Sequence, residues 1–257
     1  MISFARIVLL VLSLFTAVSC EEKSTLVNEL TLFGLKGTVE TVLIEMDYEH
    51  TNVNEEGYLV NSVKLTFNDK GFMNNETRVY TKPSNPDSKP RLSSESYQFD
   101  NLGRIQKQIS HNQSGDPTET IFLYKEDAKL PYAGLSGDKD YPYMSTLNYD
   151  DRGRLISVSL DDKDWNNIFS MQTTYNDNDQ KTSYKHFYES ELISERHFFY
   201  NEQGFISKVT EIDQDQNKSL LTYEYIKMDD YGNWLVRKEI SGQKPGYVIE
   251  KRTINYY

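Results

Sequence analysis

From about residue 38 onward, apolar and polar residues alternate with a period of two. Thr38-Val39-Glu40-Thr41-Val42-Leu43-Ile44-Glu45-Met46 runs this way, as do residues 155–160, 205–212 and 234–240. Successive side chains of a strand point to opposite faces, so the pattern predicts strands with one buried face. Beyond the N-terminal apolar run no long stretch shows a period of 3.6. At most residues 24–33 make a short helix or turn.

Between the strands one short pattern recurs. Phe67-Asn68-Asp69-Lys70-Gly71, Phe99-Asp100-Asn101-Leu102-Gly103, Tyr149-Asp150-Asp151-Arg152-Gly153, Tyr200-Asn201-Glu202-Gln203-Gly204 and Met228-Asp229-Asp230-Tyr231-Gly232 are its copies. Tyr175-Asn176-Asp177-Asn178-Asp179 carries Asp in the Gly place, and Asn54-Glu55-Glu56-Gly57 is a weaker early copy. Asp or Asn opens a turn by accepting a backbone N–H two residues on. The residue three further on closes a type I turn in the left-handed conformation, which Gly adopts freely and Asp tolerates. Each copy is therefore a predicted hairpin corner. The aromatic before the Asx and the apolar residue two after the Gly face each other across the strands. The corners are unevenly spaced, and residues 127–143 hold Pro131, Gly134, Gly137 and Pro142. That segment reads as an irregular loop between two halves of one sheet. The predicted fold is all-β: an antiparallel meander of hairpins forming a twisted, curved sheet or partial barrel over residues 34–257.

The N-terminus reads as an export signal. Arg6 is the only charge before Cys20, residues 7–12 are apolar, and Glu21 and Glu22 follow at once. The run is too short to span a bilayer core of about 20 apolar residues and fits a secretory signal over residues 1–19. Ala17-Val18-Ser19-Cys20 resembles a bacterial lipobox, with Ala17 where Leu is usual. Cys20 is the only Cys in the 257 residues and sits at the predicted cut. We read it as the acylated residue, with residues 20–33 as a lipidated tether and no disulfide in the body. Cys20-Glu21-Glu22-Lys23 resembles the acidic export signal of Bacteroidetes surface lipoproteins, which implies an outer-membrane and cell-surface location.

Composition sharpens this picture. Aromatics make up 13 % of the chain, with 19 Tyr and 12 Phe, as half-buried sheets favour. The formal net charge is −11, which argues against a nucleic-acid partner, since phosphate binding needs a basic patch. It argues equally against lying flat on anionic lipid. The membrane partner is then the N-terminal lipid, and several acyl chains hold where one does not.

The series of Tyr-Asp-x-x-Gly-Arg-Leu corners resembles the YD repeat of the Rhs and teneurin type. With Gly34-Leu35-Lys36-Gly37-Thr38-Val39 at one end and Asp230-Tyr231-Gly232-Asn233-Trp234 near the other, the chain is similar to short Bacteroidetes lipoproteins carrying such repeats. That resemblance implies stacked hairpins and no single activity.

Candidate chemistry is sparse. No phosphate loop, Gly-x-Ser-x-Gly or His-Glu-x-x-His motif is present. Asp213, Asp215, Asn217 and Glu224 imitate the oxygen ligands of a calcium loop, but Lys218 stands where the bend needs Gly. His186 and His197, near Glu189, Glu191 and Glu195, offer a zinc set if they share a face. Trp165, beside Asn166 and Asn167, is a candidate for stacking on a sugar ring. The expected function is a lipid-anchored, non-catalytic envelope protein presenting its sheet to a protein or glycan partner. A structural or assembly role, or a calcium-dependent glycan-active protein, are the alternatives.

Overall fold

The computed structural model describes residues 30, 33–48, 58–82, 85, 87–112, 116–137, 142–161, 167–243 and 246–257. The predicted signal, Cys20, the Gly57 corner and Trp165 lie outside the described residues.

Sixteen strands follow one another: β1 Val39–Asp47, β2 Leu59–Phe67, β3 Met73–Thr81, β4 Arg91–Phe99, β5 Ile105–Asn112, β6 Thr118–Tyr124, β7 Pro131–Gly137 and β8 Pro142–Tyr149 form the first half. The second half is β9 Leu155–Asp161, β10 Asn167–Tyr175, β11 Lys181–Tyr188, β12 Glu191–Tyr200, β13 Ile206–Asp213, β14 Lys218–Met228, β15 Trp234–Ser241 and β16 Tyr247–Tyr256. Each pairs antiparallel with its sequence neighbour, and β1 pairs with β16. The sheet is therefore a closed barrel, not the open or partial one that local patterning predicts. Closure depends on Val42 meeting Ile254 and Ile44 meeting Arg252, a pairing of the two ends of the domain that no local motif encodes.

The period of two sets the faces. Val42 and Ile44 point inward and are buried, while Thr41, Leu43 and Glu45 point out. Ladder pairs carry that face around the barrel, through Val42 opposite Leu65 and on to Leu147, Val158 and Met171 in register. Leu30, Leu35, Phe67, Met73, Ile105 and Phe169 belong to the same core. Phe33 meets Phe67 edge-on at 6.3 Å. Leu30 and Phe33, which the sequence suggests as tether, thus pack into the barrel.

The corners form as their chemistry dictates. At Asp150 the Gly153 N–H donates to the Asp150 carbonyl at 2.9 Å. The Asp150 side chain accepts the N–H groups of Arg152 and Arg154 at 3.0 and 2.8 Å. Gly153 sits at φ +75° and Asp179, in the equivalent place, at +62°. The same bonds recur at Asn68, Asp100, Asn176, Asn201 and Asp229. All six corners lie on turns that follow even-numbered strands, so they share one end of the barrel.

That rim is stitched from corner to corner. Arg154 Nη1 donates to the Asn176 carbonyl at 2.9 Å and to Asp179 at 3.0 Å. Gln180 reaches the Gly204 carbonyl at 3.2 Å. Tyrosines tie the strands beneath: Tyr124, Tyr175, Tyr200 and Tyr225 donate to the first-residue carbonyls of β5, β9, β11 and β13 at 2.7–3.0 Å. Asn233 completes the ring. Its amide donates to the Lys36 carbonyl at 2.9 Å and its oxygen accepts the Lys36 N–H at 2.7 Å.

The segment 127–143, expected as an irregular loop, contains β7 and the start of β8. Pro131 opens β7, a place where its missing N–H costs no ladder bond. Gly134 lies opposite Phe122, and a Cβ there would meet Thr120 Cγ2 at 3.1 Å. The ring of Phe122 covers the strand where Gly leaves room, so Pro and Gly here are strand residues.

Asn233→Ala removes the clasp between the rim and the segment entering β1, and leaves the Lys36 N–H without its acceptor. We expect a loss of about 2–3 kcal/mol, read as a lower urea midpoint with an unchanged m-value.

Candidate functional site

Strand parity turns an unexpected set of polar side chains into the barrel. On β3 and β4, Glu76 and Arg78 form an ion pair, and Glu95 faces Glu76 in register. Tyr97 Oη and Gln108 Nε2 both donate to Glu95 Oε2, at 2.8 and 3.1 Å. Burial, reinforced by the nearby Glu76 charge, raises the Glu95 carboxyl to about 7 against the opposing pull of Tyr97, Arg78 and Gln108.

A second group spans β14 to β16. Arg237 forks onto Glu250, Nε to Oε1 at 2.8 Å and Nη2 to Oε2 at 2.9 Å. Its guanidinium lies 4.5 Å from the Trp234 ring centre and 4.6 Å from that of Tyr223. Glu239 is shifted upward by burial. Arg252 follows two residues after Glu250 on the same face.

A third group lies on β11 to β13. His186 bonds Tyr184 through Nε2, and its Nδ1 is 3.3 Å from Ser194 Oγ. Burial, with Arg196 adding, holds the imidazole down at about 4, so it is neutral at physiological pH. Lys181 lies over the Tyr184 ring, and burial lowers its amine to about 8. The signal was present as charged residues sharing an every-second-position row with apolar and aromatic ones, for example Glu250 and Arg252 with Ile254 and Tyr256. It could not be read without knowing which face closes inward.

The sequence candidates fall differently. His186 faces inward opposite Ser194, whereas His197 lies on the other face and pairs with Glu195 at 3.1 Å. Strand alternation therefore separates the two histidines whose shared face a zinc set would require. Asp213, Asp215 and Asn217 form a seventh corner, at the opposite end of the barrel, with Gln216 at φ +64°. Asp213 accepts the N–H groups of Asp215 and Asn217, both at 2.9 Å, and the Asn217 amide at 3.0 Å. These bonds hold its carboxyl below the usual range. Glu224 lies along β14, 3.9 Å from Lys238. Among the described residues no group of three or more His, Cys, Asp or Glu is placed to hold a metal.

Against solved structures, the barrel matches a porin-like protein from Bacteroides uniformis, with TM-score 0.61 and 9 % identity over 86 % of this chain and 99 % of that one. The likeness is one of fold. A porin-like protein from Bacteroides vulgatus aligns with TM-score 0.39 and 10 % identity over 85 % of this chain and 99 % of that one. No family model matches the chain, and comparison with curated proteins gave no match. The resemblance to the YD-repeat family is thereby overturned: sixteen strands close on themselves in the manner of a porin-like barrel. The Asx-x-x-Gly corner is local turn chemistry that any antiparallel meander can use.

Two measurements follow. The Glu95 carboxyl binds its proton more tightly folded, at about 7, than at its ordinary value of 4.5. The unfolded chain therefore releases that proton first, and stability falls as pH rises between 4.5 and 7. Glu95→Gln should flatten this slope and gain on the order of 2 kcal/mol over wild type at pH 8, by urea titrations across that window. Asp213→Ala should lower the Tm by ~2–4 °C, equally with and without calcium, since the side chain serves the turn.

Proposed function

We propose that this chain is an envelope barrel held at the outer membrane by a lipid on Cys20, with its wall in water and its interior lining as the ligand-contacting surface. The observation that carries the reading is the chemistry of the outer face. A membrane-spanning barrel needs an outward apolar band about 25 Å tall, and a Lys or Arg at its midplane costs about 2–4 kcal/mol. Here the outward ladder positions pair Glu45 with Lys251, Thr41 with Asn255, Ser159 with Ser170, Gln172 with Ser157 and His197 with Thr210. Asn255 Nδ2 donates to Thr41 Oγ1 at 2.8 Å, and Lys107 pairs with Glu119 at 2.7 Å. The apolar row Ile121, Leu135 and Met144 crosses three strands, and polar positions flank it. The inward face holds the apolar core instead. That is the reverse of a lipid-embedded porin, so the outward chemistry favours a hydrated barrel wall, with the Cys20 lipid as its attachment.

Expressed as residues 20–257 without lipid, the protein should be monodisperse in buffer lacking detergent. In cells, Cys20→Ser should move full-length protein from the carbonate-washed membrane fraction to the soluble one. Retention of Cys20→Ser in washed membranes would instead indicate an inserted barrel. Protease shaving of intact cells assigns the leaflet.

A further inference from the structure

The second inward group holds two guanidiniums, and only one of them, Arg237, forks onto a carboxylate. Glu250 spends both oxygens on Arg237. Burial raises the Glu239 carboxyl against the pull of the Tyr223 hydroxyl and of Arg237. The Tyr225 hydroxyl donates to the Ile206 carbonyl at 2.8 Å and meets Arg237. Arg252 is left with its Nε and Nη1 shut off from solvent, and no acceptor among the described residues reaches them. A buried guanidinium with unmade hydrogen bonds is costly, and more so beside a second guanidinium. Burial, then Arg237, lowers Arg252 to about 9.

What orients Arg252 is an aromatic face. Its guanidinium lies 3.5 Å from the Trp234 ring centre, and Trp234 is itself 3 % exposed. In β1, Ile44 is its ladder partner. Stacking offsets part of the charge and fixes the plane of the donors. It supplies no acceptor. The residue as a whole is only partly buried.

We infer that Arg252, stacked on Trp234 and flanked by the Arg237–Glu250 pair, is the anchor of an oxyanion site inside the barrel, taking the carboxylate or phosphate group of a small ligand. A planar guanidinium matches either group through parallel N–H donors. The bound anion supplies the acceptor that Nε and Nη1 lack in the fold and offsets the second guanidinium. This deepens the proposed function by naming the ligand chemistry of the interior, and rests on that interior being the ligand surface. It is independent of the tether.

The test uses residues 20–257 and follows Tm at constant ionic strength while chloride is replaced by phosphate or by acetate. Wild type should show a saturable rise with at least one of them, and the one that acts distinguishes phosphate from carboxylate. Arg252→Gln should lose that rise. Arg252→Lys keeps the charge without the fork, and should retain a rise that saturates at least tenfold higher in anion. Calorimetric titration of wild type with the active anion should give one site per chain. Absence of any rise in wild type, or an equal rise in Arg252→Gln, overturns the site. Should Arg252→Gln fail to fold, a Lys variant that saturates at the wild-type concentration overturns it as well. Neither outcome alters the detergent behaviour that tests the tethered barrel.

Discussion

Asn233 bonds Lys36 across 197 residues of chain, and the barrel depends on that junction. A meander of sixteen strands is built entirely from neighbouring hairpins, yet it stays an open sheet with two raw edges until β1 meets β16. Open edges invite pairing with other chains, and closure removes them. The junction is reinforced where the strands begin and end: Asn233 also donates to Tyr256 Oη at 2.7 Å, and Tyr256 bonds Asp229. Tyr257 donates to the Phe67 carbonyl at 2.7 Å. One corner thus binds the entering and leaving ends of the domain together. The other corners extend the same chemistry around the rim.

This explains why corner chemistry repeats although the strands between differ. Each Asx side chain satisfies two N–H groups of its own turn, freeing the residue after Gly to reach sideways. Where that residue is Arg104 or Arg154, it bonds its own Asp and the next turn, and lies over a rim tyrosine at 4.4 or 5.0 Å. Where it is Phe205, the ring packs on Tyr225 at 4.9 Å. Asn233 occupies the same place at the seam. The variable residue is the stitch, and the fixed residues are the turn that holds it.

Strand identity and corner geometry were legible in the sequence because both are set by a few adjacent residues. Closure was not, since it depends on Val42 meeting Ile254, and nothing near either residue announces the other. β7 was hidden because Pro131 and Gly134 are usually turn residues. Only the opposing Phe122 shows why Gly serves there. The corner at Asp213 was disguised by Gln216 in the Gly place and by acidic neighbours that imitate a calcium loop. The inward polar groups were hidden for a different reason. Alternation shows that Glu250 and Arg252 share a face with Ile254, but burial of that face is a property of the closed barrel.

Closure also decides what the interior can do. A sheet that buries Val42, Leu65, Val158 and Met171 could have filled its inner face with apolar residues throughout. Instead charged groups recur inside, on β3 to β5, β11 to β13 and β14 to β16. Buried ion pairs stabilise little relative to apolar packing of similar volume, so stability alone does not account for them. Some of these groups carry their own counter-charge, since Arg78 has Glu76 and the more exposed Arg196 has Glu211 at 3.0 Å. On β14 to β16, Arg237 takes the fork of Glu250, and Nε and Nη1 of Arg252 are buried with no acceptor among the described residues. Within a chain of net charge −11, an uncompensated cation turned inward is the feature that the fold itself does not require.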